Sequence, residues 1–252
     1  QNLALPEGDT LFIKAGTTLK INEGVSIQAT IIAEGKPDSM ITFTKTDLGG
    51  NWRALVTLPH SRLDYCIIEY FRTLGYRNNA YGTLSYIVDY PLVSNSIIRY
   101  GQEIDIVFLS KTNAIECDMH NNIGILFAST AYNAAHYCNI LNCFPTNGLS
   151  GGGAFSFKQR DLGNVVGLRD TTICRLKNTN IFNNEDYNIK ADGDALYIVD
   201  LDTNYYGSTK ESTIRQSIYD FETPGSTSMG WVDLSKRASR PSALAHGIVW
   251  KV

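Results

Sequence analysis

Long apolar runs are missing from this 252-residue chain. No stretch approaches the ~18 apolar residues that a membrane-spanning helix needs. Basic runs are missing too. Lys+Arg 22 against Asp+Glu 25 leaves a net charge of −3, so there is no electrostatic footprint for nucleic acid. Five cysteines, Cys66, Cys117, Cys138, Cys143 and Cys174, include no C-x-x-C spacing, which removes the usual zinc ligand pattern. No segment sustains a 3.6-residue apolar period for long, which argues against a helical bundle. Catalytic signatures are equally scarce. His60, His120 and His136 are scattered with no nucleophile motif beside them, and Glu69, Glu103 and Glu116 fall in different positions of the repeat. A glycosidase needs two carboxylates converging at roughly 5–10 Å. No signal peptide opens the sequence, which suits a mature secreted protein, a trimmed chain or a cytosolic one.

What is present is a nine-residue phrase that returns every twenty-odd residues. It reads LDYCIIEYF (Leu63–Phe71), LVSNSIIRY (Leu92–Tyr100), AIECDMHNN (Ala114–Asn122), AHYCNILNC (Ala135–Cys143), LKNTNIFNN (Leu176–Asn184) and, more loosely, YIVDLDTNY (Tyr197–Tyr205). Before each stands a second short segment, such as WRALVTL (Trp52–Leu58), IGILFAS (Ile123–Ser129) or GAFSFKQ (Gly153–Gln159). These segments are rich in β-branched and aromatic residues and alternate apolar with polar, as strands do. Self-similarity at this period predicts an all-β solenoid whose stacked coils share one core.

Aligning the phrases puts Cys66, Asn95, Cys117, Cys138 and Thr179 in one column and Ile68, Ile97, Met119, Ile140 and Ile181 in another. Residues two apart on a strand share a face, so both columns are expected to point into the core. A third column, Tyr70, Arg99, Asn121, Asn142 and Asn183, suggests side-chain amides bonding from coil to coil at ~4.8 Å. Stacked cysteines at that spacing stand wider than the ~3.8 Å between disulfide Cβ atoms. Free, buried thiols are the expectation, with a bridge or a metal as the alternative.

Three stretches carry a family resemblance: AGTTLKINEGVSIQATIIAEGKPDSMITFT (Ala15–Thr44), NWRALVTL…SRLDYCIIEYF (Asn51–Phe71) and NTNIFNNEDYNIKA…DLDTNYYGSTKESTIRQSIYDF (Asn178–Phe221). Together they resemble the secreted bacterial surface proteins with right-handed parallel β-helix repeats, of the pectate-lyase-like superfamily fold. That family often has tryptophan where this chain has Tyr205 and Tyr206. The resemblance implies a right-handed parallel β-helix of about nine coils and an extracellular or cell-surface location. Because the family is functionally diverse, it says little about activity.

Residues 1–235 read as the β-helix domain and 236–252 as a linker and the start of a possible following domain, HGIVWKV, which would make the chain part of a larger protein. STKESTIRQSIYDF (Ser208–Phe221) has helical spacing through Ile214 and Ile218, with Ser208 or Thr209 as N-cap. A short helix over 209–219 is expected to close that end.

Two long turns, Arg72–Tyr81 and Phe144–Gly153, are read as insertions at one shared corner, and Arg160–Arg175 as an insertion at another. The first two would wall a trough with Tyr76, Arg77 and Tyr81 on one side and Gln102, Glu103, Asn121 and Asn122 along the floor. Aromatic rings beside amides and a guanidinium suit a sugar chain. The simpler reading is drift in surface loops, which costs little.

The expected function is therefore a non-catalytic extracellular module that binds or displays, toward a polysaccharide or cell-surface glycan and without a cofactor. One competing class is a polysaccharide lyase or hydrolase on the same fold. It would draw a base from Lys158, Arg160, Arg169, Arg175 or Lys177 and calcium from Asp186, Asp192 and Asp194. Asp-rich turns are, however, common for conformational reasons. A structural spacer is the third class.

Overall fold

A computed structural model describes residues 2–6, 8–58, 60–76, 93–101, 103–105, 108–110, 113–115, 125–127, 133–136, 138–141, 153–158, 174–184, 187–192, 197–227 and 230–243. The strands are β1 (Leu3–Ala4), β2 (Thr10–Ile13), β3 (Thr18–Ile21), β4 (Ser26–Glu34), β5 (Ile41–Lys45), β6 (Trp52–Thr57), β7 (Arg62–Asp64) and β8 (Cys66–Glu69). They continue as β9 (Phe71–Tyr76), β10 (Val93–Ser94), β11 (Ile97–Arg99), β12 (Glu103–Asp105), β13 (Phe108–Ser110), β14 (Asn113–Ile115), β15 (Ile125–Phe127) and β16 (Asn133–His136). The last are β17 (Asn139–Leu141), β18 (Gly153–Lys158), β19 (Cys174–Lys177), β20 (Asn180–Phe182), β21 (Tyr187–Asp192), β22 (Tyr197–Asp202), helix α1 (Glu211–Arg215), β23 (Ile218–Tyr219) and β24 (Gly230–Val232).

The described residues are mostly β with almost no helix, and the paired strands run parallel. One series runs β1-β4-β6-β9-β12-β15-β18-β21-β23. A second runs β2-β4-β7-β10-β13-β16-β19-β22-β24. Long β4 belongs to both, which joins them in one 17-stranded sheet, while β3-β5-β8-β11-β14-β17-β20 forms a separate sheet of seven. Each strand therefore pairs with its counterpart one repeat earlier and one later, and each such level is here called a tier. All three series send residues into one buried cluster, including Leu55 and Phe71 from the first, Ile31 and Leu63 from the second, and Phe43 and Ile68 from the third. Among the described residues no helix is long and apolar enough to cross a membrane.

The junction between the second and third series shortens along the chain, from four residues (14–17) and six (35–40) at the first two levels to one or two from β7 onward. It is one residue at Tyr65, and at Asn95–Ser96 and Asn178–Thr179 it is two. Tyr65, Asn95, Asn178 and Thr203 each turn the chain at positive φ, 46–56°. The next residue, Cys66, Ser96, Thr179 or Asn204, is wholly buried. A corner this tight strips amides from the strand ladder, and buried amides need partners. The next tier supplies them. The Ser96 hydroxyl accepts the Cys66 N–H at 2.9 Å, the Thr179 hydroxyl accepts the Cys138 N–H at 3.4 Å, and the Asn204 carboxamide oxygen accepts the Thr179 N–H at 2.9 Å. The hydroxyls in turn donate to Ser94 O and Lys177 O, and the Asn204 amide donates to Leu176 O. Cys66 and Cys138 are buried, and burial pushes the Cys66 thiol well above its usual pKa, with Asp64 adding to the shift.

The register corrects the expected columns. Leu63 pairs with Val93 rather than Leu92, and Ile68 with Ile98 rather than Ile97, so Ser96 replaces Asn95 in the cysteine column. Ile98 then pairs with Ala114, and Ala114 with Ile140, so Ala114 takes the place expected for Met119. The cause is the two-residue link between β12 and β13, which fits two strands into what reads as one segment, Ile104–Ser110. Cys66, Ile68, Cys138 and Ile181 are buried as expected. Cys117 and Met119 lie outside the described residues.

The C-terminal end also differs. Helix α1 covers Glu211–Arg215, and its N-cap is Lys210, with no side-chain cap. Ser208 instead accepts the Lys210 N–H just ahead of it. Ile218, expected on the helix, is on β23 opposite Ile189 and 1% exposed, because a ladder partner was available there. The described residues after β23 are held to the tiers, including 236–243 from the stretch read as a linker. β24 pairs with β22, Thr203 N–H reaches Lys236 O, and the Asn180 carboxamide takes both N–H (2.8 Å) and C=O (3.3 Å) of Ser242.

Asn204→Ala should lower unfolding stability by on the order of 2–4 kcal/mol, because two buried backbone groups lose their partner. Tyr206 makes the opposite case. Its hydroxyl is buried beside Asn204 without completing a hydrogen bond, and burial pushes its pKa up. Tyr206→Phe should raise stability by about 1 kcal/mol in denaturant unfolding.

Candidate functional site

The expected trough does not assemble at one corner. Arg72–Tyr76 is the body of β9, in register with β6 (Thr57 opposite Tyr76) and β12 (Thr73 opposite Glu103). The long connection is 77–92, between β9 and β10. Residues 142–152 connect β17 to β18, a different junction, whereas 159–173 connect β18 to β19, the same junction as 77–92. Tyr76 ends β9 and Glu103 begins β12. Arg77, Tyr81, Gln102, Asn121 and Asn122 lie outside the described residues. By chain position Gln102 belongs to the connection from β11 to β12 and Asn122 to that from β14 to β15. Both therefore share a junction type with 142–152, and neither shares one with 77–92.

That third-to-first junction holds the most distinctive surface among the described residues. Tyr70 and Tyr100 occupy it on consecutive tiers, both at positive φ (59° and 53°). The left-handed region costs a side-chain-bearing residue about 1–2 kcal/mol. Asn183, at the equivalent turn after β20, shows the residue type that tolerates it better. Tyrosine there needs a compensating interaction, and stacking supplies one. The two rings lie 5.0 Å apart at 19°. Lys45 Nζ sits 4.8 Å from the Tyr70 centroid, and the Arg99 guanidinium 5.4 Å from that of Tyr100. A stacked pair contributes about 0.5–1.5 kcal/mol, and each exposed cation–π contact about 0.5–1 kcal/mol. Together these are comparable to the conformational cost.

The charges beside the rings are ordered by the same register. Thr44, Glu69 and Arg99 stand in one column, by the pairings Phe43–Ile68 and Glu69–Arg99. Glu69 is 9% exposed and takes Arg99 in a two-point contact, Nε to Oε2 at 2.8 Å and NH2 to Oε2 at 2.7 Å, while Thr44 donates to Oε1 at 2.8 Å. A carboxylate so engaged is a poor general base. Lys45 has no carboxylate partner among the described residues, so its ammonium remains available beside the rings. Neither tyrosine was singled out in the sequence as a ligand-facing pair. Their alignment depends on the one-residue shift between β8 and β11, which hides that they are vertical neighbours.

The lyase constellation is drawn out along the strands. In backbone register Lys158 is opposite Asp192, Arg175 opposite Asp200, and Lys177 opposite Asp202. Arg160, Asp161, Arg169, Asp170, Asp186 and Asp194 lie outside the described residues. Among the described residues no group of three His, Cys, Asp or Glu side chains is placed to hold a metal.

Compared with known proteins, the chain matches no family model, no curated protein and no solved structure.

Tyr100→Asn separates structural from ligand-facing roles. It keeps a residue suited to positive φ and removes the ring, so unfolding stability should fall by about 1 kcal/mol or less. A loss of several kcal/mol would make the ring a structural post.

Proposed function

We propose that the chain is a right-handed parallel β-helix and serves as a non-catalytic, extracellular module that holds a polysaccharide or cell-surface glycan along its Tyr70–Tyr100 edge, within a larger bacterial surface protein. In support of the fold, three parallel series climb tier by tier around one shared core, joined by short corners. The sequence resemblance supports the location. The observation that carries the function is the pair of stacked tyrosines kept at positive φ with Lys45 beside them. Non-glycine residues in that region concentrate where a side chain is needed at a fixed place.

This edge presents positively polarised ring edges, phenol hydroxyls and an ammonium, which match the hydroxyl and ring oxygens of a sugar. By chain position Gln102 and Asn122 fall in the same junction type as this edge, Glu103 begins the strand that follows it, and Tyr76 ends β9 ahead of the connection that holds Arg77 and Tyr81. Glu69 is engaged by Arg99 and Thr44, which favours binding over acid–base chemistry at this edge.

A glycan array followed by calorimetry on the hits tests the reading. Tyr70→Ala with Tyr100→Ala should weaken the bound glycan by about tenfold or more, taking 1.4 kcal/mol per decade, and Tyr76→Ala should leave affinity unchanged. An empty array favours the spacer. Release of unsaturated products from uronate polymers would establish the lyase in its place.

A further inference from the structure

Lys45, Tyr70 and Tyr100 form one column, because Phe43 pairs with Ile68 and Glu69 with Arg99. Lys45 belongs to the tier before Tyr70, and Tyr100 to the tier after it. The Tyr70 ring therefore has an ammonium 4.8 Å from its centroid on one side and a second ring 5.0 Å away on the other. Neither face is left for the apolar face of a sugar. What Tyr70 offers a ligand is its edge and its hydroxyl. Ring edges are the positive part of the quadrupole, a phenol donates, and an ammonium has three N–H donors and no acceptor. Among the described residues neither the Lys45 ammonium nor the Tyr70 hydroxyl is taken by a hydrogen bond or an ion pair.

Charge points the same way. Lys20 is matched by Asp47 at 2.9 Å and Arg99 by Glu69 at 2.7 Å. Lys45 is left over, a local positive charge on a chain whose net charge is −3. Glu69 does not oppose an incoming anion freely, since Thr44 and Arg99 occupy its two oxygens.

We infer that the glycan held at this edge carries a tetrahedral oxyanion, a phosphate or sulfate ester, and that Lys45 recognises it. The inference rests on the glycan-binding reading of the edge. A planar carboxylate is best met by two parallel N–H donors of a guanidinium, and Nε and one terminal nitrogen of Arg99 are already on Glu69. What remains is an ammonium, a point charge whose donors fan out, with a phenol beside it. Oxygens arranged around phosphorus or sulfur accept from donors spread in this way, whereas a carboxylate offers two oxygens in one plane.

The test is calorimetry of the chain against one backbone, dextran, in four forms: unsubstituted, carboxymethylated, sulfated and phosphorylated, at matched degrees of substitution. Inorganic phosphate and inorganic sulfate are further arms. One of the esters should bind about tenfold or more tightly than the carboxymethyl and unsubstituted forms, and which ester does so identifies the oxyanion. Lys45→Gln should remove that preference and Lys45→Arg should retain part of it. Lys36→Gln, the same charge change on the exposed corner 35–40, should leave it intact. Equal affinity for all four forms, or preference for the carboxymethyl form, overturns the oxyanion and leaves the glycan reading standing. An ester preference that survives Lys45→Gln overturns the inference as well. Binding of an inorganic ion that Lys45→Gln abolishes, with no affinity added by dextran or by any glycan on an array, supports the oxyanion site and removes the glycan reading. A chain that binds none of the forms and neither ion overturns the inference.

Discussion

Amides removed from a strand ladder at a tight corner must be paired again, and in this molecule each tier completes the corner of the one before it. The Cys66 N–H needs the Ser96 hydroxyl, the Cys138 N–H needs Thr179, and the Thr179 N–H needs Asn204. At these three corners the partner comes from the next tier. The constraint runs one way along the chain, from each buried amide to a short polar side chain above it, and ends at Asn204, whose amide returns a bond to Leu176 O. Buried polar groups this well matched hold the stack in a single register, since a slip of one residue would orphan every corner amide together.

From β7 onward that junction stays at one or two residues, and the large length variation falls at the other two. The link between the first and second series runs from two residues, at 106–107, to the long stretches 77–92 and 159–173. The link from third to first ranges from Tyr70 alone to 142–152. Loops grow where no buried ladder forbids it, since added surface loop costs little beyond closure entropy. Tyr70 and Tyr100 lie on this permissive side, at a position where asparagine also serves, which makes their ring stack a matter of side-chain chemistry more than of backbone need. Near the C-terminal end of the described residues, Arg215 pairs with Asp220 and Glu222 at the end of α1, whose Ile214 is buried.

By itself the sequence determined the all-β class, the repeat, and the burial of Cys66, Ile68, Cys138 and Ile181. Alternation and self-similarity are local signals that survive small errors of alignment. It did not determine register. The phrases Leu63–Phe71 and Leu92–Tyr100 look matched as written, yet the ladder joins Leu63 to Val93, and a single-residue shift exchanges neighbours in every column. It placed Arg72–Tyr76 in a loop because glycine and polar residues interrupt the apolar pattern there, while pairing on both sides by β6 and β12 makes it strand. Ile218 moved from an expected helix to a strand for the same reason. Which tyrosines stack and which carboxylate holds Arg99 were decided only by tertiary structure. Each depends on vertical neighbours some 25–30 residues away in sequence, as for Thr44 with Glu69 and Glu69 with Arg99, and hydrogen-bonded pairing between tiers, not local propensity, selects those neighbours.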